Sequence, residues 1–422
     1  MSQFSAEEAF AISLDQADPL ASFREEFVLP CNKQGEPLVY FCGNSLGLQP
    51  KQAREIVLQE LDDWGALAVE GHFDAKRPWY RYHEPLAQPM ANLVGALPHE
   101  VVLMNSLTVN LHLMMVSLYQ PSAARHKILI DAPSFPSDTY AVKSQLRYHG
   151  YDPAEALIQA RPRQGEETIR YEDLAQQIED HKEQLALILL GGVNFYTGQV
   201  HEMRELAQLA QRLDICLGLD LAHAVGNVPL DLHDWGVDFA VWCNYKYMNS
   251  GPGAVGGCFL HERHARNVEL DRFAGWWGND PDSRFQMQLL PEFDPMPTVD
   301  GWQISNPPIL SLAPVVGSLE VFNRAGMNAL REKSLRLTGY ARWLIAQQGS
   351  DRFQIITPAE DAAHGCQLSL YAHDRPLELF DKLRAAGVVG DFRRPNVIRI
   401  APTPLYNTFH EVWRFANVLG SL

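Results

Sequence analysis

One lysine sits where its amine can act as a nucleophile. The stretch Val241-Trp242-Cys243-Asn244-Tyr245-Lys246-Tyr247-Met248-Asn249-Ser250 is rich in apolar and aromatic residues, and Gly251, Pro252 and Gly253 follow it. Desolvation in such a setting disfavours an ammonium and leaves an amine able to attack a carbonyl. That is what a Schiff-base lysine needs, and it points to pyridoxal phosphate. A lysine at the end of a buried strand, its amine reaching the surface, fits the same residues. Companion residues must decide.

A cofactor phosphate needs backbone N–H groups at a helix N-terminus. Asn105-Ser106-Leu107-Thr108 offers them, with two hydroxyls, between the apolar run Val101–Met104 and a helical run over 109–119. An ordinary serine or threonine helix cap accounts for the same four residues. A carboxylate beside the pyridine nitrogen raises its pKa and so keeps it protonated. Asp220 ends the apolar run 215–219, where a charge is costly unless paired, and Leu221-Ala222-His223-Ala224 rather than turn residues follow it. His223 reaches the same edge of the ring. Phe135, in Ala132-Pro133-Ser134-Phe135-Pro136-Ser137-Asp138, is the candidate for stacking on it, with Asp138 nearby. Each signal also has an ordinary structural explanation, but all fall at the ends of apolar runs.

Those runs define the elements that position the site. Short apolar segments at 101–104, 127–130, 185–190, 215–219 and 239–243 alternate with helical stretches such as 172–181 and 202–213. Alternation of this kind predicts an α/β fold with a largely parallel sheet. Ligands of such sheets gather at the carboxyl ends of the strands, and Asn105, Asp131, Asn194, Asp220 and Asn244 all stand there. Upstream, residues 1–35 read as a helical arm closed by Pro30. A short strand then breaks into the turn Gly43-Asn44-Ser45-Leu46-Gly47, a helix follows over 51–64, and 71–79 reads as a loop. Downstream, a long helical stretch over 310–348 is interrupted near Gly326. Strands at 353–356, 367–371 and 397–400, a helix at 376–386 and a last one from Thr408 complete a smaller α+β part. The expected division is a cofactor-binding domain over 36–309 and a small domain built from 1–35 and 310–422.

A net charge of −16 argues against nucleic acid or an anionic membrane as partner. The six cysteines show no metal-finger spacing, so no metal is expected, and they read as reduced thiols of a cytoplasmic protein. The first twenty residues lack the pattern of a signal peptide, and no apolar run approaches membrane-spanning length.

Long segments of the chain resemble the kynureninase family. They include FCGNSLGLQP (41–50), residues 71–79, NSLTVNLH (105–112), FPSD (135–138), NFYTGQV (194–200), GLDLAHAVGNVP (218–229), NYKYMNSG around Lys246, GWWG (275–278), ISNPPIL (304–310) and NVIRIAPTPLYNTF (396–409). The resemblance implies the type I fold of pyridoxal-phosphate enzymes, a cytoplasmic homodimer with its active site between subunits, and hydrolysis of kynurenine in tryptophan catabolism and pyridine nucleotide biosynthesis. It implies that Lys246 carries the cofactor, that Leu107, Thr108 and Tyr245 hold the phosphate, that Phe135 stacks on the ring, and that Asp220 pairs with its nitrogen. Asp138 and His223 complete that pocket, with Trp276 and Asn306 from the facing side. Arg399 matches the residue that binds the substrate carboxylate, while Ser45, His72 and Ser305 line the substrate pocket. Tyr245 is the candidate proton donor to Cβ. His72 and Asn306 match the form of the family that favours 3-hydroxykynurenine. A cysteine desulfurase-like lyase is the nearest rival and would need Cys366 as a reactive thiol; a non-catalytic binding protein would have no need of Lys246 and Arg399.

Overall fold

The computed structural model describes residues 4–290, 292–348 and 352–421, so the first three residues of the expected arm lie outside it. The described arm is helix α1 (Glu8–Gln16), a 3₁₀ turn over Ala21–Glu26 and a two-residue strand, not one continuous helix. Pro19 breaks it, and the Asp18 carboxylate accepts the Leu20 N–H at 3.0 Å. Helix α2 (Lys51–Leu67) follows. The segment expected to be a loop at 71–79 contains a helical turn, Gly71–Asp74, continuous with a 3₁₀ turn over Ala68–Glu70.

A seven-stranded sheet forms the centre: β1 (Val101–Met104), β2 (Lys127–Asp131), β3 (Leu157–Ala160), β4 (Leu185–Gly191), β5 (Cys216–Asp220), β6 (Phe239–Cys243) and β7 (Gly256–Leu260). Its order is β1-β7-β6-β5-β4-β2-β3. The pairs β3–β2, β2–β4, β4–β5 and β5–β6 are parallel, whereas β7 is antiparallel to both β6 and β1. Helices cover both faces, so successive strand residues enter different cores: Leu103 and Ile188 face one, Val102, Met104, Leu187 and Leu189 the other. Burial on both faces is why these strands read as unbroken apolar runs. Strands β3 and β7 were not among the expected ones. Helices α3 (Leu107–Leu118) and α4 (Pro136–Tyr148) pack on each other, and α3 also lies against β6 and β7. Helices α5 (Tyr171–His181) and α6 (Met203–Arg212) occupy the connections predicted to be helical.

The helical stretch beyond 308 divides into α7 (Ile309–Ala325) and α8 (Met327–Gln347), with Gly326 at φ 74° between them. A four-stranded antiparallel sheet comprises β8 (Phe353–Ile355), β9 (Leu368–Ala372), β10 (Asp391–Arg393) and β11 (Val397–Ile400), in the order β8-β9-β11-β10. Helices α8, α9 (Pro376–Ala385) and α10 (Phe409–Ser421) share its core with α1. The arm is strapped to this end of the chain. Asp15 accepts the Phe409 and His410 N–H groups at 2.6 and 3.0 Å, supplying the acceptor that the start of α10 needs. Asp18 and Lys333 form a buried ion pair at 2.7 Å. Among the described residues, no helix is long and apolar enough to cross a membrane.

Candidate active site

Lys246 stands in a bend just past the end of β6, as its chemistry requires, since a continued strand would send Tyr245 and Lys246 to opposite faces. The bend is held by Asn249 N–H to Lys246 carbonyl at 2.9 Å and by Ser250 N–H to Asn244 carbonyl at 2.9 Å. Asn249 takes φ 59°, and the glycines at 251 and 253 also lie in the left-handed region, which is the turn that the Gly-rich flank provides. The Lys246 side chain is buried and its Nζ lies 3.2 Å from His223 Nε2. Burial first, and then the Lys246 charge, push the His223 imidazole well below its usual pKa, so it is neutral, with Nε2 in hydrogen-bond contact with the amine.

Eight of the expected residues line one pocket at the strand ends: Leu107, Thr108, Phe135, Asp138, Asp220, His223, Tyr245 and Lys246. Asp220 ends β5 and accepts the Ala222 N–H at 2.7 Å. Asp138, in the first turn of α4, hydrogen-bonds to Asp220. Burial, then the Asp220 charge, hold its carboxyl well above the ordinary carboxylate range. Asp138 is therefore the neutral member that donates to Asp220. Burial raises the Tyr245 phenol, with Cys243 and Asp220 adding to it, so Tyr245 keeps its proton. The Phe135 ring is 38% exposed and Lys246 Nζ lies 5.6 Å from its centre.

Helix α3 begins at Leu107, two residues earlier than its apolar pattern implied, and so places its first N–H groups in the pocket. Ser106 makes no side-chain capping bond, which argues against the ordinary cap. Thr108 Oγ1 instead meets Ser137 Oγ at 2.9 Å, joining the starts of α3 and α4. A Cβ at Gly256 on β7 would fall 3.2 Å from the Leu107 nitrogen, so the glycine keeps that approach open. Of the strand-end residues, Asp131, Asn194 and Asp220 line the pocket. Asn194 donates to Asp131 Oδ2 at 2.9 Å and to the Pro133 carbonyl at 3.0 Å. No role was assigned to Asn194 or Ser137 from the sequence; the position of Asn194 beyond a strand was the available signal. Asn105 donates instead to the Asn110 side chain at 3.0 Å and Asn244 to the Val255 carbonyl at 2.8 Å.

The remaining expected residues stand elsewhere in the chain. His72, Trp276 and Asn306 line a second, aromatic pocket with Trp79, Tyr80, Trp277 and Phe285, which shares no residue with the first. Ser305 is exposed and donates to Asn306 Oδ1 at 3.3 Å. Ser45 lies half-buried in the turn after Cys42 and lines neither pocket. Arg399, on β11, is buried behind the first pocket and reaches it by donating from Nη1 to the carbonyl of Phe195, a lining residue, at 2.5 Å. Cys366 is buried and burial pushes its thiol up to about 12, which leaves it inert as a nucleophile.

Outside these pockets, Glu100, His233 and His261 form a compact cluster. Its carboxylate already accepts from Leu97 N–H, Glu262 N–H and His233 Nδ1 at 2.7 to 2.9 Å, so hydrogen bonding accounts for it.

A family model for the kynureninase C-terminal domain matches residues 330–419. A kynureninase of Myxococcus xanthus is 51% identical over 99% of this chain and 97% of its own length. One of Xanthomonas campestris pv. campestris is 54% identical, covering 95% of each.

The chain belongs to the kynureninase family.

Kynureninases are pyridoxal-phosphate-dependent hydrolases, and their fold agrees with solved structures of other chemistry. A cysteine desulfurase of Thermococcus onnurineus superposes with TM-score 0.74 at 16% identity, covering 91% of this chain and 94% of its own. The lyase C-DES, with glycine linked to its pyridoxal phosphate, gives 0.72 at 16% identity, covering 90% and 96%. These likenesses concern the type I fold alone. The pocket of the present kynureninase-family chain fits the cofactor on its own geometry. Asp138 Oδ1 and His223 Nδ1 are buried there without a hydrogen-bond partner, beside an uncapped helix start and a buried amine.

Proposed function

We propose that the chain hydrolyses the Cβ–Cγ bond of kynurenine and, in preference, of its 3-hydroxy derivative, releasing an anthranilate and alanine. The observation that carries this reading is the buried group of Lys246, His223, Asp220 and Asp138 beside the start of α3. Pyridoxal phosphate, when bound, supplies the electron sink that stabilises charge at the substrate's carbon atoms. The N–H groups of Leu107 and Thr108 hold its phosphate, with Tyr245 beside them, and the Phe135 ring covers its face. Asp220 keeps a proton on the ring nitrogen, while neutral Asp138 donates to Asp220 and His223 fills the same edge. Lys246 Nζ, held by His223, takes the Cα proton. Tyr245 retains its proton for transfer to Cβ. Arg399 offers its planar fork to the substrate carboxylate.

The site is completed by a second copy of the chain. Leu58, Leu61 and Trp64 of α2 and Val69 beyond it are 42%, 40%, 61% and 70% exposed, an apolar face beside the aromatic pocket that favours a homodimer. Trp276 and Asn306 then face the partner's Lys246, with Ser45, His72 and Ser305 around the aryl ring. Asn306 and His72 give a ring hydroxyl the polar partners that an apolar pocket lacks. A site built for that hydroxyl discriminates against the substrate without it. The division into 36–309 and 1–35 with 310–422 belongs to the same proposal.

Two experiments test it. Borohydride reduction of the holoenzyme followed by peptide mapping should place the pyridoxyl group on Lys246; a label on Lys143 or Lys182 overturns the assignment. Competition between the two substrates should favour 3-hydroxykynurenine by kcat/KM, and apolar replacements of His72 and Asn306 should narrow that preference. A clear preference of the wild type for kynurenine refutes it.

A further inference from the structure

We infer that Asp391 is a positioning residue, which sets the fork of Arg399 toward the substrate carboxylate. This rests on the proposed role of Arg399. Strands β10 and β11 pair antiparallel with Asp391 directly opposite Arg399, so the two side chains leave the sheet as a cross-strand pair. Arg399 Nη2 lies 2.8 Å from Asp391 Oδ2, and Nε donates to Oδ1 at 3.3 Å. Arg399 is 1% exposed, and burial draws its pKa down while the Asp391 carboxylate opposes that loss. A guanidinium so deep needs a fixed counter-charge.

The donors show which edge is held. Arginine carries five N–H groups. Asp391 engages the Nε side of the plane, and the Phe195 carbonyl takes one N–H of Nη1. Nη2, though in ion-pair contact, makes no aligned hydrogen bond. At least one donor therefore remains on each terminal nitrogen, the pair that a bidentate carboxylate uses. The Phe195 carbonyl is itself fixed by Gln367 Nε2 at 3.1 Å, and Gln367 accepts from Asn44 at 3.0 Å. Asp391 is anchored in turn by Arg393, whose Nε lies 2.9 Å from Oδ1. Two cations against one carboxylate leave a net positive site behind the cofactor pocket, which a substrate carboxylate neutralises.

Replacing Asp391 frees the guanidinium to turn and leaves Phe195 as its one fixed point. Misplacement of a binding group by about 1 Å costs up to ~100-fold. For Asp391→Asn, KM for kynurenine should rise about tenfold or more, with kcat within a few-fold and the cofactor absorbance unchanged. Selectivity for kynurenine over its α-carboxamide, measured as competitive binding to the holoenzyme, should fall, which a merely structural role would not cause. Asp391→Glu keeps the charge but advances it by one methylene, and should move the same two quantities less. Unchanged KM and selectivity in both variants overturn the inference, as does a joint loss of kcat and cofactor absorbance with selectivity intact. Arg399→Lys separates the two levels. If it leaves KM unchanged, the carboxylate role itself falls; if it raises KM while the Asp391 variants do not, only the role of Asp391 falls.

Discussion

At Asp138, burial and the Asp220 charge both oppose ionisation, so this carboxyl is raised above its value in the unfolded chain. Its contribution to stability is full below the unfolded value near 3.8 and is lost as pH rises through the folded one. An Asp138→Asn chain escapes that loss. Its cofactor-free form should melt higher than the wild type, by a margin that grows with pH from about 4 upward. Calorimetry across that range checks it, and a lower melting point at neutral pH would contradict the neutral assignment. His223 runs the other way. Its folded pKa lies well below 6.5, so its contribution is full above pH 6.5 and lost as pH falls beneath it. His223→Asn should flatten that acid-side loss, read from denaturant midpoints of the cofactor-free protein. Both shifts depend on burial and on groups brought together from separate elements, so neither was legible from residue types. What was legible is that Asp220, His223 and Lys246 follow apolar runs, where a polar group needs a partner.

Among the elements, the join of α3 with β7 gives the sharpest prediction. A Cβ at position 256 would meet the Trp242 carbonyl at 2.8 Å and the Leu107 nitrogen at 3.2 Å. Overpacking of this kind costs ~1–3 kcal/mol. Gly256→Ala should therefore weaken cofactor binding about tenfold or more, measured by equilibrium dialysis, while circular dichroism stays native. Unchanged affinity would remove the start of α3 from the phosphate site. Five strands of the large sheet were readable because each is an apolar run. Strand β3 escaped notice because Leu-Ile-Gln-Ala is short and lies at the sheet edge, only its last residue fully buried. Strand β7 escaped because its two glycines extend the turn signal of Gly251-Pro252-Gly253. Its reversed direction has no local signature at all, since register is set by neighbours in space. Asp391 is the same case: nothing in Gly-Asp-Phe-Arg announces a partner eight residues on, and only the pairing of β10 with β11 places Arg399 opposite it.

For the whole molecule, the two separate pockets of one chain make dimer exchange the decisive measurement. Lys246→Ala and Trp276→Ala each remove one half of the proposed composite site. When the two inactive proteins are unfolded and refolded together, half the dimers are mixed and each mixed dimer has one intact site, so about a quarter of wild-type activity should return. No recovery, with mixed dimers demonstrated by mass, would place the whole site in one chain. The strap between the arm and α10 bears on how such a molecule is made. Asp15 and Asp18 find their partners Phe409, His410 and Lys333 only across most of the chain. A ribosome adds ~5–20 residues per second. The first helix therefore emerges roughly twenty seconds to more than a minute before the last exists, and must wait without the donors that its carboxylates accept from, or its core. Until residues 397–421 emerge, the nascent chain holds a nearly finished cofactor sheet but no completed small sheet. Emergence of the last helix is then the event that completes the small domain.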